Sequence, residues 1–331
     1  MGSQEDGEDF KTPSMAELLR ISLKLSDKEA MHEAALENRE LSVSAEDQAW
    51  LKEAMGMTQK SDADRMKEAL VVINDAAESQ AHKEYALDLI LFAIEDIDNA
   101  CDFVKFDGAL ETLLRLLDDD IATMRLGAAW LLGTLTQNNP KAQAAVLGAS
   151  AEIVVKLMAL TLGDPETEVQ RKALLAVSSL ARNSEAGQVA FLAAGGPALP
   201  AQLMGSEAPD SALQKRSLFL AAHLIGESPG QFLSPFSDTK IASLCCDVVG
   251  ASPGGDLDGE DLDLREQALR LLLALCSGGS AEQLQAECGE PLRAALAARA
   301  TQVEALEGDE KEWRETEVDM GRQLLAALPS S

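Results

Sequence analysis

Five stretches of this chain repeat one pattern: a small residue, apolar residues three, four and seven places on, then a polar or glycine-containing corner. They start at Ala86, Ala128, Ala173, Ser217 and Ala268, at intervals of 42, 45, 44 and 51 residues. The apolar spacing, as in Leu131, Leu132 and Leu135 or Leu220, Ala221 and Leu224, makes one face of a helix. Further apolar runs at 108–117, 151–162, 196–204, 239–249 and 288–300 predict helices between them. The corners read "EDIDNA", "TQNNP", "ARNSE", "IGESP" and "CSGGS". A period in the low forties, with two or three helices per unit, is that of armadillo and HEAT solenoids. No such unit buries its apolar face alone, so the units must stack, with equivalent corners along one edge. The fold expected is all-α: an armadillo-like right-handed α-solenoid (superhelix) with a flexible N-terminal arm. The long last interval is explained by an insertion, "PGGDLDGEDLD", which reads as a surface loop.

The ends differ from the middle. Residues 1–45 read as the arm, with one short amphipathic helix in which Ser14 and Glu17 have capping-box spacing and Leu18, Ile21 and Leu25 form a narrow apolar stripe. Residues 46–331 read as the solenoid with helical caps. The entry cap is expected over 46–57 and 61–76, and the exit cap is the charged run 307–328.

Composition agrees with helices: the chain is 46% hydrophobic but only 4% aromatic. With 28 basic against 56 acidic residues the formal charge is −28, which sets it against nucleic-acid and membrane-surface roles. The acidic start has no apolar segment of a secretory signal, and no apolar run is long enough to span a bilayer. Cys101, Cys245, Cys246, Cys276 and Cys288 are odd in number and lack framework spacing, so reduced thiols and a cytoplasmic location (cytosol or nucleus) are expected.

The search for chemistry returns little. His32, His82 and His223 are far apart, and His223 reads as a packed or groove-facing side chain. The adjacent Cys245 and Cys246 do not form a zinc pair, and "DLDGEDLD" lacks EF-hand register. There is no P-loop, no GxGxxG after a strand and no GxSxG elbow. Neither catalysis nor a cofactor or metal is expected, which leaves a binding solenoid. Trp130 occupies the tryptophan position of the ladder that armadillo import receptors use for basic peptides. The matching asparagine positions hold Phe92, Thr134, Ser179, His223 and Ala274, so that ladder is absent.

Read in order, "LLRISLKLSDKEAMHEA", "MKEALVVINDA", "DIDNA", "GTLTQNN", "KALLAVSSLARNSEAG" and "ECGEPLRAAL" resemble the armadillo-type nucleotide exchange factors of the 70-kDa heat shock chaperone, also called Hsp-seventy-binding proteins. The resemblance implies a non-enzymatic co-chaperone whose concave face grips lobe II of the chaperone's nucleotide-binding domain and promotes ADP and client release. It maps the partner contacts onto Asn99, Ala100, Gln137, Asn138, Arg182, Asn183 and Arg216. It also gives the arm, through Leu18, Ile21 and Leu25, the task of competing for the chaperone's substrate-binding cleft; the other reading folds the arm back as a cap. Asn99, Asn138 and Asn183 suit helix C-terminal geometry as well as contact. Arg216 suits either a bidentate grip on a partner carboxylate or a salt bridge to a neighbouring repeat. The alternative function is a scaffold binding an extended or helical peptide in its groove.

Overall fold

The structure, a computed structural model, describes residues 60–150, 152–208, 210–250 and 261–329. Nearly all of these fall in one unit, Asp62–Ser331. The expected arm, with Leu18, Ile21 and Leu25, and the first part of the entry cap lie outside the described residues.

The described residues form helices in repeating groups. Helices α1 (Asp62–Asn74) and α2 (Gln80–Ala93) come first, followed by α3 (Ile97–Phe103), α4 (Ala109–Leu116) and α5 (Ala122–Thr136). The next two groups are α6 (Pro140–Ala149), α7 (Ile153–Gly163) and α8 (Thr167–Ala181), then α9 (Glu185–Ala193), α10 (Leu199–Met204) and α11 (Ser211–Glu227). The last group is α12 (Pro229–Ser237), α13 (Ile241–Gly250) and α14 (Leu262–Leu275). A π-helical turn, Cys276–Ser280, leads into α15 (Ala281–Glu304), and α16 (Asp309–Ala327) closes the stack.

The long helices α2, α5, α8, α11 and α14 pack side by side in chain order. The small residue leading each repeat is buried in every case: Ala86, Ala128, Ala173, Ser217 and Ala268. Small residues there let neighbouring helices approach. At Gly133 in α5 the approach is so close that an added Cβ would lie 2.9 Å from the Leu175 side chain of α8. The result is one continuous apolar core from Met66 to Leu328, as the repeat pattern requires.

The polar corners do more than turn the chain. Asp96, Asn139 and Ser184 each accept backbone N–H groups that open a short helix, α3, α6 and α9 respectively. Pro140 and Pro229 then occupy the first helical positions of α6 and α12. These short helices bury only a few side chains each, such as Ala100 and Phe103 in α3, so the sequence shows no long apolar period there.

Ion pairs tie successive repeats along one row. Arg125 of α5 grips Asp164, before α8, through two hydrogen bonds of 2.6 and 3.0 Å. Arg171 of α8 holds Asp210, before α11, at 2.6 Å, and Lys215 of α11 holds Asp261, before α14, at 3.3 Å. At the exit, Glu317 of α16 is buried between Arg265 and Arg299, at 2.8 and 3.0 Å. Burial pushes the Glu317 carboxyl up, but the hydrogen bonds and charges of Arg299 and Arg265 outweigh it and hold it below the usual carboxylate range.

The cysteines depart from expectation. Cys246 of α13 and Cys288 of α15 form a disulfide, with Cα atoms 6.7 Å apart, where five reduced thiols were expected. Stacking brings together two residues 42 positions apart, which linear spacing does not reveal. Cys245 and Cys276 are buried and free, and burial pushes both thiols up, away from nucleophilic character. Among the described residues no single helix is long and apolar enough to cross a membrane.

Candidate functional site

A groove of about 450 Å³ opens where the C-terminal ends of α5 and α8 meet the N-terminal halves of α11 and α14. It gathers four of the seven expected contact residues: Gln137, Asn138, Arg182 and Arg216. Each sits at its place for a local reason. Gln137 ends α5, and Asn138 follows in the left-handed region at φ 53°. Asn183, after α8, takes the same geometry at φ 54°. Asparagine tolerates this conformation better than most side chains, and it turns the chain while leaving the amide side chain exposed. Both residues are therefore helix-end residues and surface residues at once.

Arg182 ends α8, and its carbonyl accepts from the Gln143 side chain at 3.0 Å. Its guanidinium lies over the Phe219 ring, 5.2 Å from the centroid, with Nε buried and unpartnered. The neighbouring Asn183 amide donates to the Glu227 carboxylate at 3.3 Å. His223 stacks on the other side of this cluster, 6.1 Å from Phe219. Burial pushes the His223 pKa down, and the Arg182 charge adds to the effect. His223 packs on Phe219 and lies 3.3 Å from the Glu227 carboxylate, outside the lining of the groove, which fits the packed one of its two expected placements; among the described residues no group of three or more metal-ligating side chains comes together.

Arg216, on α11, makes no ion pair among the described residues, so the alternative of a salt bridge to a neighbouring repeat is not realised there. The surrounding protein desolvates its guanidinium and pushes the pKa down, with no carboxylate offsetting it. One turn deeper, Lys172 of α8 stands 3.4 Å above the centre of the Trp130 ring. Neither Lys172 nor the lining side chains Leu175 and Phe219 belonged to the expected contact set. Trp130 was singled out for its ladder position, but its role as a platform for a lysine 42 residues away depends on α5 and α8 lying side by side.

The remaining expected residues lie elsewhere. Asn99 is in the first turn of α3, where its side chain donates to the Ala93 carbonyl at 3.0 Å, closing the end of α2. Its φ is not positive, so it is not a left-handed cap like the other two asparagines. Ala100 is only 2% exposed and belongs to the core. It offers no surface to a partner, and the expectation that it is a closely approached contact is corrected: its small size serves the packing of α3.

Comparison with known proteins follows the same course along the chain. Residues 15–103 match the family model described as "Nucleotide exchange factor Fes1", and residues 99–235 match "SIL1/FES1/HPBP1 C-terminal domain". The chain is 34% identical over 200 residues to "Hsp70-binding protein 1" of Rattus norvegicus, covering 56% of this chain and 55% of that protein. It is 41% identical over 125 residues to "Hsp70 nucleotide exchange factor FES1" of Coccidioides immitis (strain RS), covering 38% of this chain and 58% of that protein. The chain thus spans little more than half the length of these relatives. Among solved structures, a designed armadillo repeat protein superposes with a TM-score of 0.60 at 17% identity, over 80% of this chain and 100% of that one, which shows the armadillo fold. With its two matches running consecutively from residue 15 to residue 235, the chain belongs to the Fes1/SIL1/HPBP1 family.

Proposed function

We propose that this protein is a co-chaperone that binds the nucleotide-binding domain of Hsp70 and promotes release of ADP, and with it release of the client. The observation that carries this reading is that the consecutive family matches contain all four expected contacts that the fold gathers in one groove: Gln137, Asn138, Arg182 and Arg216. Asn183, exposed beside Arg182, belongs to the same face. Asn99 lies outside that groove, and we keep it as a contact of the solenoid's entry end.

No chemistry of the protein's own is required. A factor that binds the open, nucleotide-free conformation of a nucleotide-binding domain more tightly than the closed one shifts the population toward opening. By linkage, ADP or ATP then weakens the factor's hold by the same factor. In this reading the groove grips lobe II, the arm competes for the client cleft through Leu18, Ile21 and Leu25, and the protein works in the cytosol or nucleus.

Release of a fluorescent ADP analogue from purified Hsp70 tests it. Stoichiometric addition of the protein should accelerate release many-fold, and excess unlabelled ADP should dissociate the complex. A release rate unchanged by an equimolar or tenfold excess of the folded protein would remove the exchange reading and leave the peptide-binding scaffold.

A further inference from the structure

The basic residues of this chain are scarce, 28 against 56 acidic ones, and those on the row between successive repeats are paired. Around the groove, sequence neighbours differ in pairing. Arg171 is held by Glu168 and Asp210, and Lys215 by Asp261 and Asp263. Lys172 and Arg216 have no carboxylate within ion-pair distance among the described residues. They come from adjacent repeats and line one concavity of about 200 Å³ that opens into the larger groove. Partial burial works against the protonated form of Lys172, the Glu168 carboxylate on the same concavity favours it, and the Arg216 cation opposes it. The acid on that concavity, Glu168, is already held by Arg171, so Lys172 and Arg216 leave an anion's place between them.

We propose that Lys172 and Arg216, with the Trp130 ring beneath the lysine, form a carboxylate-binding subsite, and that the partner segment taken by the groove is an acidic one. The proposal rests on the reading above in taking this groove as the partner face. It adds Lys172 and Trp130 to that face and specifies the chemistry of what docks there.

Carboxylates fit better than phosphates for two reasons. The cations are few and are separated by apolar surface from Leu175 and by the two aromatic rings, which suits acidic side chains spaced along a protein segment. A continuous phosphate backbone carries a charge at every unit, more than acidic side chains spaced along a protein segment, and so meets more of the repulsion of a −28 protein around the groove. The aromatic platform fixes Lys172 in place, so less side-chain freedom is lost when a carboxylate arrives.

The test uses the full chain and a fluorescein-labelled hexaglutamate peptide at low salt, with hexaglutamine and hexathymidylate as comparison probes. Hexaglutamate should bind measurably and hexaglutamine should not. Lys172→Gln and Arg216→Gln should each weaken hexaglutamate binding about fivefold or more, the effect of losing one charge-assisted contact. Arg322→Gln, which alters an exposed pair on α16, should leave it unchanged. Equal binding of hexaglutamate and hexaglutamine, wild-type binding by both substituted proteins, or tighter binding of hexathymidylate would each overturn the proposal. A second arm separates it from the functional reading. If wild-type protein binds hexaglutamate as described but not the Hsp70 nucleotide-binding domain, the subsite stands and the Hsp70 reading falls. If it binds that domain while both glutamine variants bind it equally well with unchanged salt dependence, the Hsp70 reading stands and the subsite falls.

Discussion

The row of inter-repeat ion pairs and the groove use the same residue types to opposite ends. Arg125, Arg171 and Lys215 each face an aspartate of the next repeat. Lys172, Arg182 and Arg216 lie on the same helices α8 and α11, or at their ends, and face aromatic rings or each other. Arg171 and Lys172 are sequence neighbours with different fates, as are Lys215 and Arg216. Because helix positions one apart point about 100° away from each other, one residue of each pair falls on the row and the other in the groove. The contrast teaches that a cation's role in a solenoid is set by which face it occupies. On α8 and α11 the cations of the row hold repeats together, while Lys172 and Arg216 face the groove.

The harshest way to break the contrast is to add a cation that is neither paired nor exposed. Ala100→Arg places a guanidinium in the core beside α3, and burying an unpartnered charge there should cost about 4 kcal/mol or prevent folding altogether. Urea unfolding followed by circular dichroism would show it. Wild-type stability with loss of Hsp70 binding would instead return Ala100 to the contact surface. Next comes Arg125→Ala, which leaves the Asp164 carboxylate, 1% exposed, with only backbone help from Glu166. A loss of about 3 kcal/mol in unfolding free energy is expected, with Hsp70 binding retained by the protein that remains folded.

The row should also govern acid sensitivity. At Asp164, burial pushes the pKa up but Arg125 and the Glu166 amide outweigh it, and at Asp210 the Arg171 hydrogen bond dominates; both carboxyls are held below the usual range, like Glu317. A carboxyl whose folded pKa lies below its unfolded one contributes stability at higher pH and loses it as pH falls through the folded value. Melting temperature should therefore be flat above about pH 5 and fall below it, and Arg125→Ala should flatten the acid limb. An identical acid limb in wild type and Arg125→Ala would show that Asp164 does not contribute. The smallest effect belongs to Arg322→Gln, whose partners Glu304 and Asp319 are exposed. Differential scanning calorimetry should find no measurable shift.

Much of this organisation is legible in the sequence. The small residues that lead the five long helices were marked by apolar spacing alone, because a helix buried along one face must repeat near 3.6 residues. The polar exit cap follows from the charged run that becomes α16, although the buried Arg265–Glu317–Arg299 cluster fastening it joins residues from three helices. The short helices α3, α6, α9 and α12 read as corners in the sequence, since capping residues and prolines signal a turn as readily as a helix start. Within the groove, Gln137, Asn138, Arg182 and Arg216 came from resemblance to a family. Lys172 was not marked, because nothing in "QRKALL" shows that its side chain lands on a tryptophan of the preceding repeat. Ala100 was misplaced for the converse reason: a small residue serves a close partner contact and close internal packing equally well.

The central claim is that the unpaired groove cations act on a partner and contribute little to the fold. It is tested most directly by measuring ADP release from Hsp70 with the doubly substituted Lys172→Ala, Arg216→Ala protein, after confirming that it melts at the wild-type temperature. The account predicts that this protein, added at equimolar amounts, loses most of the wild-type acceleration, a binding deficit of about 2 kcal/mol or more that higher concentrations restore. Wild-type acceleration by the stably folded double variant would contradict it.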